Sequence, residues 1–291
     1  MHRINQFLAC LALIATTTSA LDLPSNVKDF YDHVRGKGEC GKVLKGGFHS
    51  TDGDSGDFGY CGDYLDNYKI MYLQGKRGRL VNMDVDCDGA QNAGDGRCQS
   101  STDTQSETTF RSTLKSYGVG DLNAYVHPYV VFGNEGTQKG WPTFDPQKHG
   151  VKPLSLMAVV CNNKLVSRVV TVLLYHVYGI WGDTNGDDGR QAMVGEASIS
   201  LATACFGNGI TGNSGHDEND VLYLAFTGDD AVPGASGANW SASTYEEFSN
   251  SITDLGNKLV ERVGSGSSGR AHADQWLMFT ACFFGSILIF I

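Results

Sequence analysis

The chain predicts a mainly β domain, a small β-barrel with peripheral helices packed outside it. Three observations carry this. Strand signals are short and frequent through the middle, helical periodicity is confined to the two ends, and 37 glycines stand against 6 prolines, a balance that suits many tight turns. The stretch 21–264 contains no internal repeat and no linker that would divide it, so one domain is expected.

The elements follow in order. In SNVKDFYDHV, Val27, Phe30, Tyr31 and Val34 recur at helical spacing. Strand signals come next at LVNMDV (80–85), YVVFG (129–133), LSLMAVVC (154–161), YGIWG (178–182) and VLYLAF (221–226), β-branched or aromatic runs bounded by turn residues. One segment does not fit: RVVTVLLYHVYGIW, 168–181, is nearly unbroken strand signal, whereas a typical strand holds ~5–6 residues. Either two strands meet there without a turn, or residues have been added. EASISLATACFG stays open, because Ala197, Ile199 and Leu201 alternate as in a strand while the alanines and Gly207 suit a helix ending at a C′ glycine. Near the end, Phe248, Ile252, Leu255, Leu259 and Val263 mark a helix that opens with a capping-box pattern at Ser243-Thr-Tyr-Glu246.

Both ends read as processing signals. Residues 1–20 have a basic start at Arg3, an apolar run and small residues at Thr18 and Ala20, the pattern of a signal peptide. A secreted protein is expected. Residues 265–291 join a GSGSSG spacer to a sixteen-residue uncharged run that is short for a membrane span of ~20 residues. Small residues, a spacer and an apolar tail match a lipid-anchor signal, with 265–269 as the attachment site, and a misread last exon gives the same pattern. The expected location is extracellular, or the cell surface if the tail is an anchor signal.

Charge and cysteine agree with export. The net charge is −10, and losing the lone cation of the leader, Arg3, takes it to −11. Such a field repels nucleic acid and anionic membranes and attracts polycations, although a soluble extracellular protein needs no more reason than solubility to carry it. Outside the leader and tail lie Cys40, Cys61, Cys87, Cys98, Cys161 and Cys205, without CxxC spacing, which disfavours zinc and suggests up to three disulfides. Cys87 with Cys98 is the local pairing that the Gly-rich stretch between them allows. A monomer with no resident metal and no cofactor is expected.

Two carboxylates stand out in GIWGDTNGDDGRQAMVGEAS: Asp183 after a Trp and Glu196 after a Gly. Hydrolysis of a glycosidic bond by acid and base needs one carboxyl that stays protonated for the leaving oxygen and one ionised to activate water. The run YGIW reads as a strand and the next residues as a polar loop, so the chain beyond is expected to return beside that strand and put both carboxylates on one rim, facing across an open groove. Trp181 offers an aromatic wall for a sugar and would raise the pKa of the acid by excluding water. A solvated turn fits the same spacing. A rival motif is the run Asp84, Asp86, Asp88, Gly89 and Asp95, which reproduces positions of a calcium loop but lacks flanking helices. The function of a different class is therefore a secreted calcium- or polysaccharide-binding module without turnover.

YCGD (60–63), NMDVDCDGA (82–90), HPYVVFGNE (127–135), PLSLMAVVCN (153–162), YGIWGDTNG (178–186), GEASISLA (195–202) and HDENDVLYLAF (216–226) together resemble the fungal chitosanases of glycoside hydrolase family 75. The resemblance implies cleavage of chitosan, a β-1,4 polymer of glucosamine, with inversion at the reacting carbon. It implies catalysis by Asp183 and Glu196, with Asp183 as general base and Glu196 as general acid, and a barrel of the double-psi kind. Chitosan carries ammonium groups, which an acidic cleft would concentrate and pair with individually. Asp63, Asp84 and Asp86 are the candidates for those pairings, with Trp181 as sugar contact. The resembling pattern passes from CNNKL almost directly into YGIWGD, so residues 166–177 read as an insertion close to Asp183, or as intron sequence translated in error.

Overall fold

The computed structural model describes residues 21–90, 94–99, 101, 104–164, 172–186 and 189–264. The leader, the tail and much of the expected insertion lie outside these residues. In chain order the elements are β1 (Leu21–Asp22), α1 (Ser25–Lys37), β2 (Val43–Phe48), β3 (Phe58–Cys61), β4 (Ile70–Gly75), β5 (Val81–Asp86), α2 (Arg111–Ser116), β6 (Tyr129–Asn134), β7 (Leu156–Lys164), β8 (Val172–Asn185), β9 (Glu196–Ser198), α3 (Ile199–Phe206), β10 (His216–Phe226) and α4 (Tyr245–Val260).

Six strands close a ring in the order β8, β6, β9, β5, β10 and β7, because β7 pairs with β10 on one edge and with β8 on the other. Closure removes the free edges that an open sheet would leave. The pairs β6–β8 and β5–β9 are parallel and the other four antiparallel. On the flank of the ring, β4, β3 and β2 continue the sheet from β10. The mainly β barrel with few helices is thus the architecture that the sequence predicts.

The long apolar runs acquire a reason in this ring. From Leu156 to Cys161 every residue of β7 is fully buried, lining the interior on one face and lying under helices on the other. β8 is one strand of 14 residues rather than two. It changes partners along its length: residues 172–180 pair with β7, and from Ile180 onward the strand pairs with β6. Each neighbourhood demands strand-forming residues, so the signal runs twice the usual length. Residues 172–177 add rungs to the β7–β8 hairpin and are separated from Asp183 by five ordered residues.

The helices cover the ring from outside. α1 buries Val27, Phe30, Tyr31 and Val34, and the Tyr31 hydroxyl donates to the Asp220 carbonyl at 2.7 Å. The segment after Gly195 resolves both readings of its sequence: Glu196–Ser198 is strand, and Ser198 then caps α3 by accepting from Leu201 N, with Gly207 closing the helix. Glu196 therefore lies in a strand, before the first helical turn. α4 is capped one residue later than the sequence pattern, with Thr244 accepting from Glu247 N while the Glu247 carboxylate accepts from Ser243 N. Its Gly256 lies against Tyr178, where an added Cβ would come within 2.5 Å of the ring. Helix propensity favours Gly256→Ala by about 1 kcal/mol, yet overpacking costs about 1–3 kcal/mol. The clash should win, and thermal unfolding of the variant is expected to show a lower Tm.

Three disulfides staple the described residues: Cys40–Cys61, Cys87–Cys98 and Cys161–Cys205. The second is the pairing that local spacing suggests. The third joins β7 to α3, the helix that follows Glu196.

Candidate active site

Strand β6 sets the dimensions of the site. Val131 is the register partner of Asp183 on β8 at one side and of Glu196 on β9 at the other. Two strand spacings separate the two Cα atoms, about 10 Å. The sequence suggests that the second carboxylate returns directly beside the strand of the first. Instead β6 lies between them, because β9 finds its backbone partners on β6 and β5. Two glycines permit this close assembly. A Cβ on Gly182 would stand 2.5 Å from that of Tyr129, and Gly195, at φ +100°, would drive one to 2.7 Å from the Asn82 carboxamide oxygen.

Asp183 is buried, 5% exposed. Its Oδ1 accepts from Thr109 N at 2.9 Å, Thr109 Oγ1 at 2.6 Å and Thr184 N at 2.8 Å, while Oδ2 is buried without a hydrogen-bond donor. Burial pushes its pKa up, and the Thr109 and Thr184 donors oppose the rise. The two carboxylates therefore do not both face an open groove as the sequence suggests: Glu196 is half-buried, whereas Asp183 is closed in by its neighbours.

Asp86 and Asp88 join Asp183, each bringing a carboxylate oxygen within 4.8 Å of the other two. Burial and then the charges of Asp183 and Asp88 push Asp86 well above the usual carboxylate range. Within this pair Asp86 holds the proton more tightly, because Asp183 has the larger set of donors for its ionised form. Asp86 is only 5% exposed, so a pairing with a substrate ammonium does not fit its position. Of the calcium-like run, Asp95 is instead paired with Arg97 and Asp84 faces Glu196 across the parallel β5–β9 ladder.

Asp84, the register partner of Glu196, is half-buried. Its pKa is raised to about 6, first by burial and further by Asp217 and Asp52, against a hydrogen bond from Asn82. A carboxyl whose pKa folding raises destabilises the native state once pH climbs above the unfolded value, and does so fully above the folded one. Asp84→Asn should therefore raise Tm at pH 7, with the gain shrinking as pH falls from 6 towards 4. Calorimetry at both pH values checks this, and an equal shift at both would assign the effect to packing. The remaining candidates are committed elsewhere. Asp63 accepts from Lys37 Nζ at 2.5 Å, Gly41 N at 2.7 Å and Tyr72 at 3.1 Å, so it ties α1 to β4. Burial favours its neutral form, but the Lys37 ammonium and backbone donors hold its pKa below the usual range. Trp181 is 2% exposed, packs edge-on against Phe110 and donates to the Asp183 carbonyl at 2.8 Å. It presents almost no ring face to a sugar and serves as a wall behind Asp183.

A cavity of about 250 Å³ opens beside this wall, lined among others by Thr109, Asn134, Glu135, Asp145, Trp181 and Thr184. Thr109 is exposed and links the cavity to buried Asp183. The sequence does not single it out: it belongs to the polar run SSTDTQSETTF, and only the tertiary contact across 74 positions gives it meaning.

The pattern described as fungal chitosanase of glycosyl hydrolase group 75 matches residues 83–262. An endo-chitosanase of Aspergillus oryzae is 47% identical over 251 residues, 85% of this chain and 94% of the relative. One from Aspergillus fumigatus is 47% identical over 260 residues, 89% of this chain and 98% of its own length. Endo-chitosanase C of Aspergillus oryzae is 34% identical over 182 residues, 38% of that longer protein. These matches span the strands that bear both carboxylates, and the chain belongs to the fungal chitosanases of glycosyl hydrolase group 75.

Proposed function

We propose that this chain is a secreted endo-chitosanase that hydrolyses β-1,4 glucosamine linkages with inversion, with Glu196 as general acid and Asp183 as general base. The observation that carries the reading is the shared register of Asp183 and Glu196 at Val131. Cα atoms about 10 Å apart suit the ~6.5–9.5 Å between carboxyls of inverting glycosidases, which leaves room for water under the sugar. The relatives' names supply the substrate, and the acidic chain suits a polyammonium polymer. In the reaction Glu196 gives its proton to the leaving oxygen as the bond to the anomeric carbon breaks. Water adds to the opposite face of that carbon, and its proton goes to the Asp183 side. Ionised Asp183 is favoured by its three donors and by Asp86 taking the proton of that pair.

Residues 1–20 would direct export and be removed, 21–264 would form the catalytic domain, and 265–291 would hold it at the surface if the tail is a lipid-anchor signal. Soluble chitosan with detection of new reducing ends by NMR tests the reaction. The reading expects the α-anomer first. The β-anomer first would exclude inversion, and binding without new ends would exclude the enzyme.

A further inference from the structure

The position of Asp183 poses a problem of reach. A general base must contact the water that it activates, directly or through one intermediary. Yet Asp183 is 5% exposed, its Oδ1 already receives three donors, and its Oδ2 is buried without a hydrogen-bond partner. Of the three groups on Oδ1, two are backbone N–H groups and cannot pass a proton along. The third is the Thr109 hydroxyl, a donor to Oδ1 at 2.6 Å, on an exposed residue that lines the 250 Å³ cavity.

We propose that Thr109 Oγ1 is a catalytic group that receives the proton of the attacking water while passing its own to Asp183 Oδ1. The proposal rests on the reading of Asp183 as the base. As the water oxygen bonds to the anomeric carbon, its O–H bond breaks and the proton moves to Thr109 Oγ1. The Thr109 O–H bond breaks in the same step, and that proton ends on Asp183. Glu196 supplies the proton of the departing oxygen, so one proton enters the base side and one leaves the acid side. Solvent exchange later resets both. The Thr109 N–H, at 2.9 Å from the same Oδ1, fixes the hydroxyl's carboxylate partner in line, which is the positional accuracy that such a transfer needs.

Three substitutions separate a relay from mere support. Thr109→Ser keeps the hydroxyl and should hold kcat close to the parent. Thr109→Val matches the shape without the hydroxyl and should lower kcat ~100-fold or more, the usual contribution of acid–base transfer, with KM little changed and Tm lowered by the loss of a hydrogen bond to a buried carboxylate. Thr109→Ala makes room for a water to occupy the place of the hydroxyl, so it should be faster than Thr109→Val. A packing role predicts the reverse order, since alanine leaves the larger void. Thr109→Val at parental kcat, or slower turnover by Thr109→Ala than by Thr109→Val, overturns the relay. Asp183→Asn run alongside keeps the two readings apart: an active Asp183→Asn overturns the base assignment, whereas an inactive one beside a fully active Thr109→Val overturns the relay alone.

Discussion

Glu196→Gln should lower kcat on soluble chitosan by ~10²–10⁴-fold, the range that positioned acid–base groups supply. Glutamine keeps the length and polarity of the side chain and removes the transferable proton. Affinity for the polymer should survive, because the substitution leaves the other carboxylates of the acidic chain in place, Asp84 directly across the ladder among them. Asp183→Asn should show a loss of the same order, since an amide cannot take a proton from water or from Thr109. The double variant should be little slower than the slower single one, because the proposed mechanism has both groups act in the same bond-breaking event. Initial rates of reducing-end release, with binding measured separately by calorimetry, check all three. Retention of a tenth or more of parental kcat in either single variant would exclude that residue from the chemistry.

The second large effect concerns stability. Replacing Cys161 and Cys205 together by alanine should destabilise the domain by about 4 kcal/mol, the loop-closure estimate for a bridge across 44 positions. For a chain of this size that corresponds to a Tm lower by roughly 10 °C. Both cysteines are fully buried, and the bridge fastens α3 to β7 just after the strand that carries Glu196. Differential scanning calorimetry under oxidising conditions measures the change. A shift below about 2 °C would mean that packing of α3 on β5, β7 and β8 already fixes it.

The parts that the sequence reveals are those where one physical demand dominates. Val27, Phe30, Tyr31 and Val34 announce α1 because a single helical face is buried, and YVVFG announces β6 because both of its faces are buried. β2 is hidden by its composition: VLKGGF is mostly exposed and contains two glycines, so neither alternation nor an apolar run marks it. β4, IMYLQG, is fully buried and carries a clear apolar signal, yet it is not among the strands that the sequence predicts, and the flank sheet is missed with it. In the candidate site, Asp183 and Glu196 are singled out by motif resemblance and Asp84 by its place in NMDVD, and the strand register brings the three onto nearby strands. Asp63 and Asp86 look equivalent to Asp84 in sequence. What distinguishes them is tertiary: Lys37 and Tyr72 occupy Asp63, and the barrel rim closes over Asp86. Thr109 is illegible for the same reason.

Val131 offers no chemistry, and its side chain is nearly sealed, yet its backbone neighbours are the two residues proposed as acid and base. The gap between acid and base is therefore a main-chain dimension, as fixed as the rung spacing of any ladder. On the proposed reading, loops flanking these strands can change in length and decoration, and with them the substrate range, without retuning that gap.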